Sequence, residues 1–167
     1  MSDGKTEKDT TVSRRDFLGT AAAATAFSVV PAHVLAASGD TSPSDKLNIA
    51  GIGVGGRGSR DVAGVDTEDI VALCDVDHKY AAKTFKKYPK ANTYKDYRRM
   101  LDEEGDNIDA VVIATPDHTH AVIAMEAMRR GKHVYCEKPL TYSVYEAREL
   151  TKRAKKSGVV TQMGNQG

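Results

Sequence analysis

The chain has 167 residues, enough for one packed domain comfortably and for two only with difficulty. Its 24 Lys and Arg against 23 Asp and Glu leave a net charge of +1, so nothing in the bulk charge favours nucleic acid as a partner. A hydrophobic content of 40% and a mean hydropathy of −0.45 are ordinary for a globular domain and exclude a chain made of membrane spans.

The first 37 residues differ from the rest. Ser13-Arg14-Arg15-Asp16-Phe17-Leu18-Gly19 precedes the alanine-rich stretch Thr20–Leu35, and Ala36, Ala37 and Ser38 close it. A charged region, an apolar region and a small-residue cleavage site in that order read as an export signal. Paired arginines followed by Phe-Leu resemble a twin-arginine signal, which carries folded proteins across the bacterial inner membrane. The expectation is a signal over 1–37 that engages the twin-arginine export machinery. The product would be periplasmic or exported, and membrane-tethered if the signal stays uncleaved. Thr25, Ser28, Pro31 and His33 interrupt the apolar stretch and argue against a spanning helix. Residues 38–46 are a polar linker, and 47–167 form the domain.

Within the domain, apolar runs alternate with helical patterns, as βαβ units require. Strands are expected at 47–52, 70–74, 91–94, 109–114, 132–136 and 159–163. Helices are expected from the glycine-rich turn to Val62, at Asp77–Tyr88 with Asp77 as cap, and at Asp96–Glu104. Two more are expected at Thr119–Arg130, with Val122, Ile123, Met125, Ala127 and Met128 facing the core, and at Ser143–Ser157. Ala110-Val111-Val112-Ile113 is apolar without alternation, the pattern of a strand covered on both faces. Six strands and five crossovers predict an α/β fold, a doubly wound parallel sheet of the Rossmann type in the order 3-2-1-4-5-6. That order sets Cys74 and Cys136 about 14 Å apart, too far for a disulfide.

Four motifs carry the chemistry. Gly53-Val54-Gly55-Gly56-Arg57-Gly58 follows a strand and opens a helix, the context in which a GxGxxG run binds a pyrophosphate. Asp75 lies about 20 residues on, where a carboxylate bonds the adenosine ribose and repels a 2′-phosphate. The expected cofactor is therefore NAD rather than NADP, although Arg57 tempers that preference. The competing reading is that Asp75 only ends its strand. Thr115-Pro116-Asp117-His118-Thr119-His120 ends the fourth strand on the cleft side. His118 and His120 stand two apart, a poor spacing for a metal pair, and a histidine packed on its own turn is the alternative for either. Glu137-Lys138-Pro139 ends the fifth strand beside the same cleft. From spacing alone, Lys138 reads as a solvated charge as readily as a catalytic group.

Together the GVGGRG loop, Cys74-Asp75, the Thr-Pro loop ending at His120 and Glu137-Lys138-Pro139 resemble the Gfo/Idh/MocA family over residues 45–167. The resemblance implies an oxidoreductase in which Lys138 contacts nicotinamide and substrate hydroxyl. It also implies a cofactor site of Gly53, Gly55, Gly56, Arg57, Gly58, Asp75, Thr115, Pro116, His120, Glu137 and Lys138. Asp117 departs from the Thr-Pro-Asn that is common in the family. The family also carries a second α+β domain with a mostly antiparallel sheet, which supplies substrate contacts, an acid–base histidine and a possible homo-oligomer surface. The expectation is that this domain is absent here, since the chain stops at Gly164-Asn165-Gln166-Gly167. The expected activity is hydride transfer between a sugar, cyclitol or related polyol and nicotinamide. The alternatives are a glycosidase using NAD in a transient redox cycle and a non-catalytic nucleotide-binding fragment.

Overall fold

The computed structural model describes residues 45–166; the expected signal at 1–37 and the linker through residue 44 lie outside the described residues. Six parallel strands form one sheet, β1 (Asn48–Ile52), β2 (Asp69–Cys74), β3 (Asn92–Tyr94), β4 (Ala110–Ile113), β5 (His133–Cys136) and β6 (Thr161–Met163), in the order β3-β2-β1-β4-β5-β6. The helices are α1 (Gly56–Ala63), α2 (Ala82–Lys87), α3 (Tyr97–Glu103), α4 (His120–Arg129) and α5 (Val144–Ser157). This is the expected doubly wound fold.

Alternation along the strands sorts the core onto two faces. Ala50, Ile52, Val111, Ile113, Val134 and Cys136 pack with α3, α4 and α5, while Ile49, Leu73 and Val112 pack with α1 and α2. Leu73, Leu101 and Ile113 are almost wholly buried, and each such side chain stabilises the fold by about 1.5–3 kcal/mol.

Local chemistry explains the helix ends. Ser143 Oγ accepts from the Glu146 amide at 3.3 Å while Glu146 Oε2 accepts from the Ser143 amide at 3.0 Å, a reciprocal cap for α5. Gly158 closes the same helix at φ 70°, a conformation that disfavours side chains. Asp96 Oδ1 caps α3 by accepting from the Arg98 amide at 2.9 Å.

Two expectations need correction. Asp77 caps as expected, its Oδ1 accepting from the amides of Lys79 and Tyr80, but the segment it caps is only a turn over residues 78–81, and the helix expected from Asp77 begins at Ala82. Val122 does not face the core but is 56% exposed, because it shares a face of α4 with Glu126 and Arg129, at i+4 and i+7, and it lines the cleft. Cys74 and Cys136 lie on β2 and β5 with β1 and β4 between them, and both are buried free thiols. Burial pushes each thiol up to about 12, helped at Cys74 by Asp75 and at Cys136 by Glu137, so neither is a ready nucleophile.

Candidate cofactor-binding cleft

The order of the sheet reverses between β1 and β4, and a cleft of about 610 Å³ opens at their carboxyl ends. The glycine turn forms its floor. Gly53 adopts φ 79°, and a side chain there would strike the backbone of Ala114. Any side chain on Gly58 would overlap the Gly53 carbonyl, so the bare Cα lets α1 close onto β1. Gly55 precedes α1 and supplies no side-chain cap, which leaves the amides of the first turn uncapped by any side chain and pointed at the cleft's floor. An N-terminal turn of this kind favours an anion, and a cofactor pyrophosphate fits it.

Asp75 follows β2 and reaches across to that turn. Its Oδ2 accepts from the Gly55 amide at 2.9 Å and its Oδ1 from the Asp77 amide at 2.9 Å. Each carboxylate oxygen has two acceptor sites, so ribose hydroxyls can still be bound. Lys95 and Tyr97, just past β3, line the same end of the cleft, as does the expected Arg57.

The opposite wall is the loop after β4. The Thr119 hydroxyl donates to the Pro116 carbonyl at 2.7 Å and lies 2.8 Å from the Thr115 hydroxyl. His120 is only 1% exposed. Its Nε2 is 2.7 Å from the Thr115 carbonyl and its Nδ1 is 2.7 Å from the Pro139 carbonyl. One imidazole therefore joins the Thr-Pro loop to the Glu-Lys-Pro loop, while His118 stays exposed. Lys138 is exposed beside this junction, and the Lys138–Pro139 peptide is cis.

Glu137 points elsewhere. It is buried, and its Oε1 accepts from the Tyr135 hydroxyl at 3.1 Å and from Gln166 at 2.7 Å. Arg57 Nη2 lies 3.6 Å from the same oxygen, and Arg57 Nε donates to Asp61 Oδ1 at 2.9 Å. Burial holds the Asp61 carboxyl above its usual range, and the neighbouring Glu137 raises it further. Asp61 Oδ2 is buried with no hydrogen-bond partner among the described residues. A proton there would remove the charge that burial penalises. The structure thus gathers Gly53, Gly55, Gly56, Arg57, Asp75, Thr115 and Pro116 around one cleft, with Gly58 buried, His120 behind the wall, Glu137 beneath α1 and Lys138 exposed outside the lining. Asp61 and Tyr80 were not singled out by sequence; each sits mid-pattern in a helical stretch, and only the fold turns it toward the site.

Comparison with known proteins agrees with this geometry. Residues 47–165 match the family described as GFO_IDH_MocA, oxidoreductase family, NAD-binding Rossmann fold. An inositol 2-dehydrogenase of Salmonella typhimurium is 30% identical over 119 residues, which are 68% of this chain and 34% of that protein. A glycosyl hydrolase family 109 protein of Stenotrophomonas maltophilia is 35% identical over 140 residues, 74% of this chain and 29% of that one. The crystal structure of myo-inositol 2-dehydrogenase from Lactobacillus plantarum superposes with a TM-score of 0.66 at 31% identity, covering 71% of this chain and 36% of that one. The chain thus spans about a third of the length of the relatives it matches. Its six-stranded order, its glycine turn under Asp75 and the match over residues 47–165 lead to one conclusion: the chain belongs to the Gfo/Idh/MocA oxidoreductase family and carries its NAD-binding Rossmann domain.

Proposed function

We propose that this chain is the cofactor half of an exported dehydrogenase acting on a cyclitol, sugar or related polyol. The observation that carries the reading is the His120 bridge. It fixes the backbone next to Lys138 against the Thr115 wall of the cleft, which supports reading this strand-end lysine as the group that would act beside the nicotinamide. NAD, when bound, supplies the hydride acceptor.

The chain's own residues do the rest of the positioning. Gly53, Gly55, Gly56 and Gly58 clear the floor for the pyrophosphate, and Asp75 engages the adenosine ribose. Thr115 and Pro116 shape the opposite wall. The Lys138 ammonium would hydrogen-bond the reacting hydroxyl and stabilise negative charge growing on its oxygen. A lysine ammonium cannot also accept the proton, so that acceptor must come from the second domain that the family resemblance implies. Twin-arginine export suits a protein that folds and loads NAD before crossing a membrane, and Arg14-Arg15 with Phe17-Leu18 supports that route. Replacing both arginines by lysine should hold a fused reporter in the cytoplasm; continued export would remove the localisation reading.

The second reading is a glycosidase that recycles its NAD, favoured by the resemblance to the family 109 hydrolase. Assay of the protein completed to its relatives' length separates the two. NADH accumulating with free cyclitols or sugars supports the dehydrogenase. Glycoside cleavage without net NADH supports the hydrolase.

A further inference from the structure

Tyr80 belongs to none of the motifs, yet its ring lies over the glycine turn. A methyl group on Gly55 would overlap its Cδ1 and Cε1, and one on Gly56 would overlap its hydroxyl, so the phenol rests on two bare Cα atoms. Its place is fixed from both sides. Asp77 Oδ1 accepts from the Tyr80 amide at 3.0 Å, and one helical turn later the buried Thr84 hydroxyl donates to the Val54 carbonyl at 2.8 Å, binding α2 to the glycine loop. The side chain is nonetheless 65% exposed, and it lines the cleft with Gly55, Gly56 and Asp75.

The supply of donors at this turn gives Tyr80 a purpose. The Gly55 amide, which a pyrophosphate would use, already donates to Asp75 Oδ2 at 2.9 Å. The turn has committed one backbone donor, and a phenolic O–H stands beside the next glycine at the start of α1. A tyrosine hydroxyl donates well to a phosphate oxygen, and hydrogen bonds to charged groups are among the stronger ones.

We propose that the Tyr80 hydroxyl is a side-chain donor to the pyrophosphate of the bound dinucleotide, replacing the Gly55 amide that Asp75 occupies. The assignment rests on the reading of this cleft as an NAD site. Because the hydroxyl contacts phosphate and not nucleoside, its loss should weaken every ligand that carries the diphosphate and spare those that lack it.

Calorimetric titration of the chain and of Tyr80→Phe with NAD, ADP and adenosine tests this. The phenylalanine keeps the ring on Gly55 and Gly56 and removes only the oxygen, at a largely exposed position that the fold does not depend on. The expected result is an affinity about tenfold lower for NAD and ADP, with adenosine changed by less than about twofold. Equal losses for all three ligands would overturn the assignment, as the ring would then be serving the nucleoside. Unchanged affinity for NAD in the variant would overturn it while leaving the NAD site standing. A wild-type chain that binds neither NAD nor ADP would overturn the cofactor reading and this assignment with it.

Discussion

The Asp75 carboxylate accepts a hydrogen bond from the Gly55 amide at 2.9 Å, so the residue expected to hold the ribose is tied directly to the turn expected to hold the phosphates. The link crosses from the end of β2 to the start of α1. It makes the two halves of the dinucleotide site one rigid corner rather than two independent contacts.

Asp75→Ala should therefore act twice. It removes the acceptor for the ribose hydroxyls and the charge that repels a 2′-phosphate, and it frees the Gly55 amide. Titration of both cofactors against both proteins should show NAD affinity falling by about tenfold and the gap to NADP narrowing. Unchanged affinities would mean that Asp75 serves only to brace the turn.

His120 should prove structural as much as functional. Replacing a buried imidazole that bridges two carbonyls leaves a cavity and unpaired acceptors, so His120→Ala should cost about 2–4 kcal/mol. Urea unfolding measures it, with a lower midpoint and an unchanged slope. A loss below about 0.5 kcal/mol would show that the bridge contributes nothing to the fold.

Asp61 gives a pH signature. Its carboxyl is held above the usual range in the folded chain, first by burial and then by Glu137. The folded state therefore holds a proton that the unfolded state releases sooner. Stability from this group is complete below its unfolded pKa and declines as pH rises through the higher folded value. Asp61→Asn keeps a neutral group there at all pH, so its melting temperature should gain on the wild type as pH rises from 4 to about 8. A gap that stays constant or shrinks would contradict a raised Asp61 carboxyl.

Much of this was legible in the chain itself. Parallel order followed from the alternation of apolar runs with helical patterns, and the strand ends fall within two residues of where Pro, Gly and polar residues place them. The glycine turn, Asp75 and the Thr-Pro loop could be read because each is a local pattern with a physical reason; Lys138 stood out only through the family resemblance. The cluster of Arg57, Asp61, Tyr135 and Glu137 could not be read, because its members come from α1 and the β5 end and meet only once the sheet is built. His120 and Val122 show the same limit. Packing on the sheet chooses which face of α4 is inward: His120 lies on it with Ala124 and Ala127, whereas Val122 lies with Glu126 and Arg129 on the outer one.

Lys138→Ala, in the protein completed to its relatives' length, should lower kcat by about 10²-fold, or about 2.7 kcal/mol of transition-state stabilisation. NAD affinity should change little, because the glycine floor is untouched. Lys138→Arg should not restore the rate, since a planar fork does not replace one compact charge. A near-normal kcat in the alanine variant would reduce Lys138 to a solvated strand-end charge.

The most direct test of the central claim is a thermal-shift titration of this chain with NAD. Saturable binding at one site per chain should raise the melting temperature, approaching the equivalent of about 2.7 kcal/mol when NAD is a hundredfold above its Kd, with NADP giving a smaller shift at equal concentration. A melting temperature unmoved by NAD at about 10 mM, a concentration that would saturate even a millimolar site, would contradict the account.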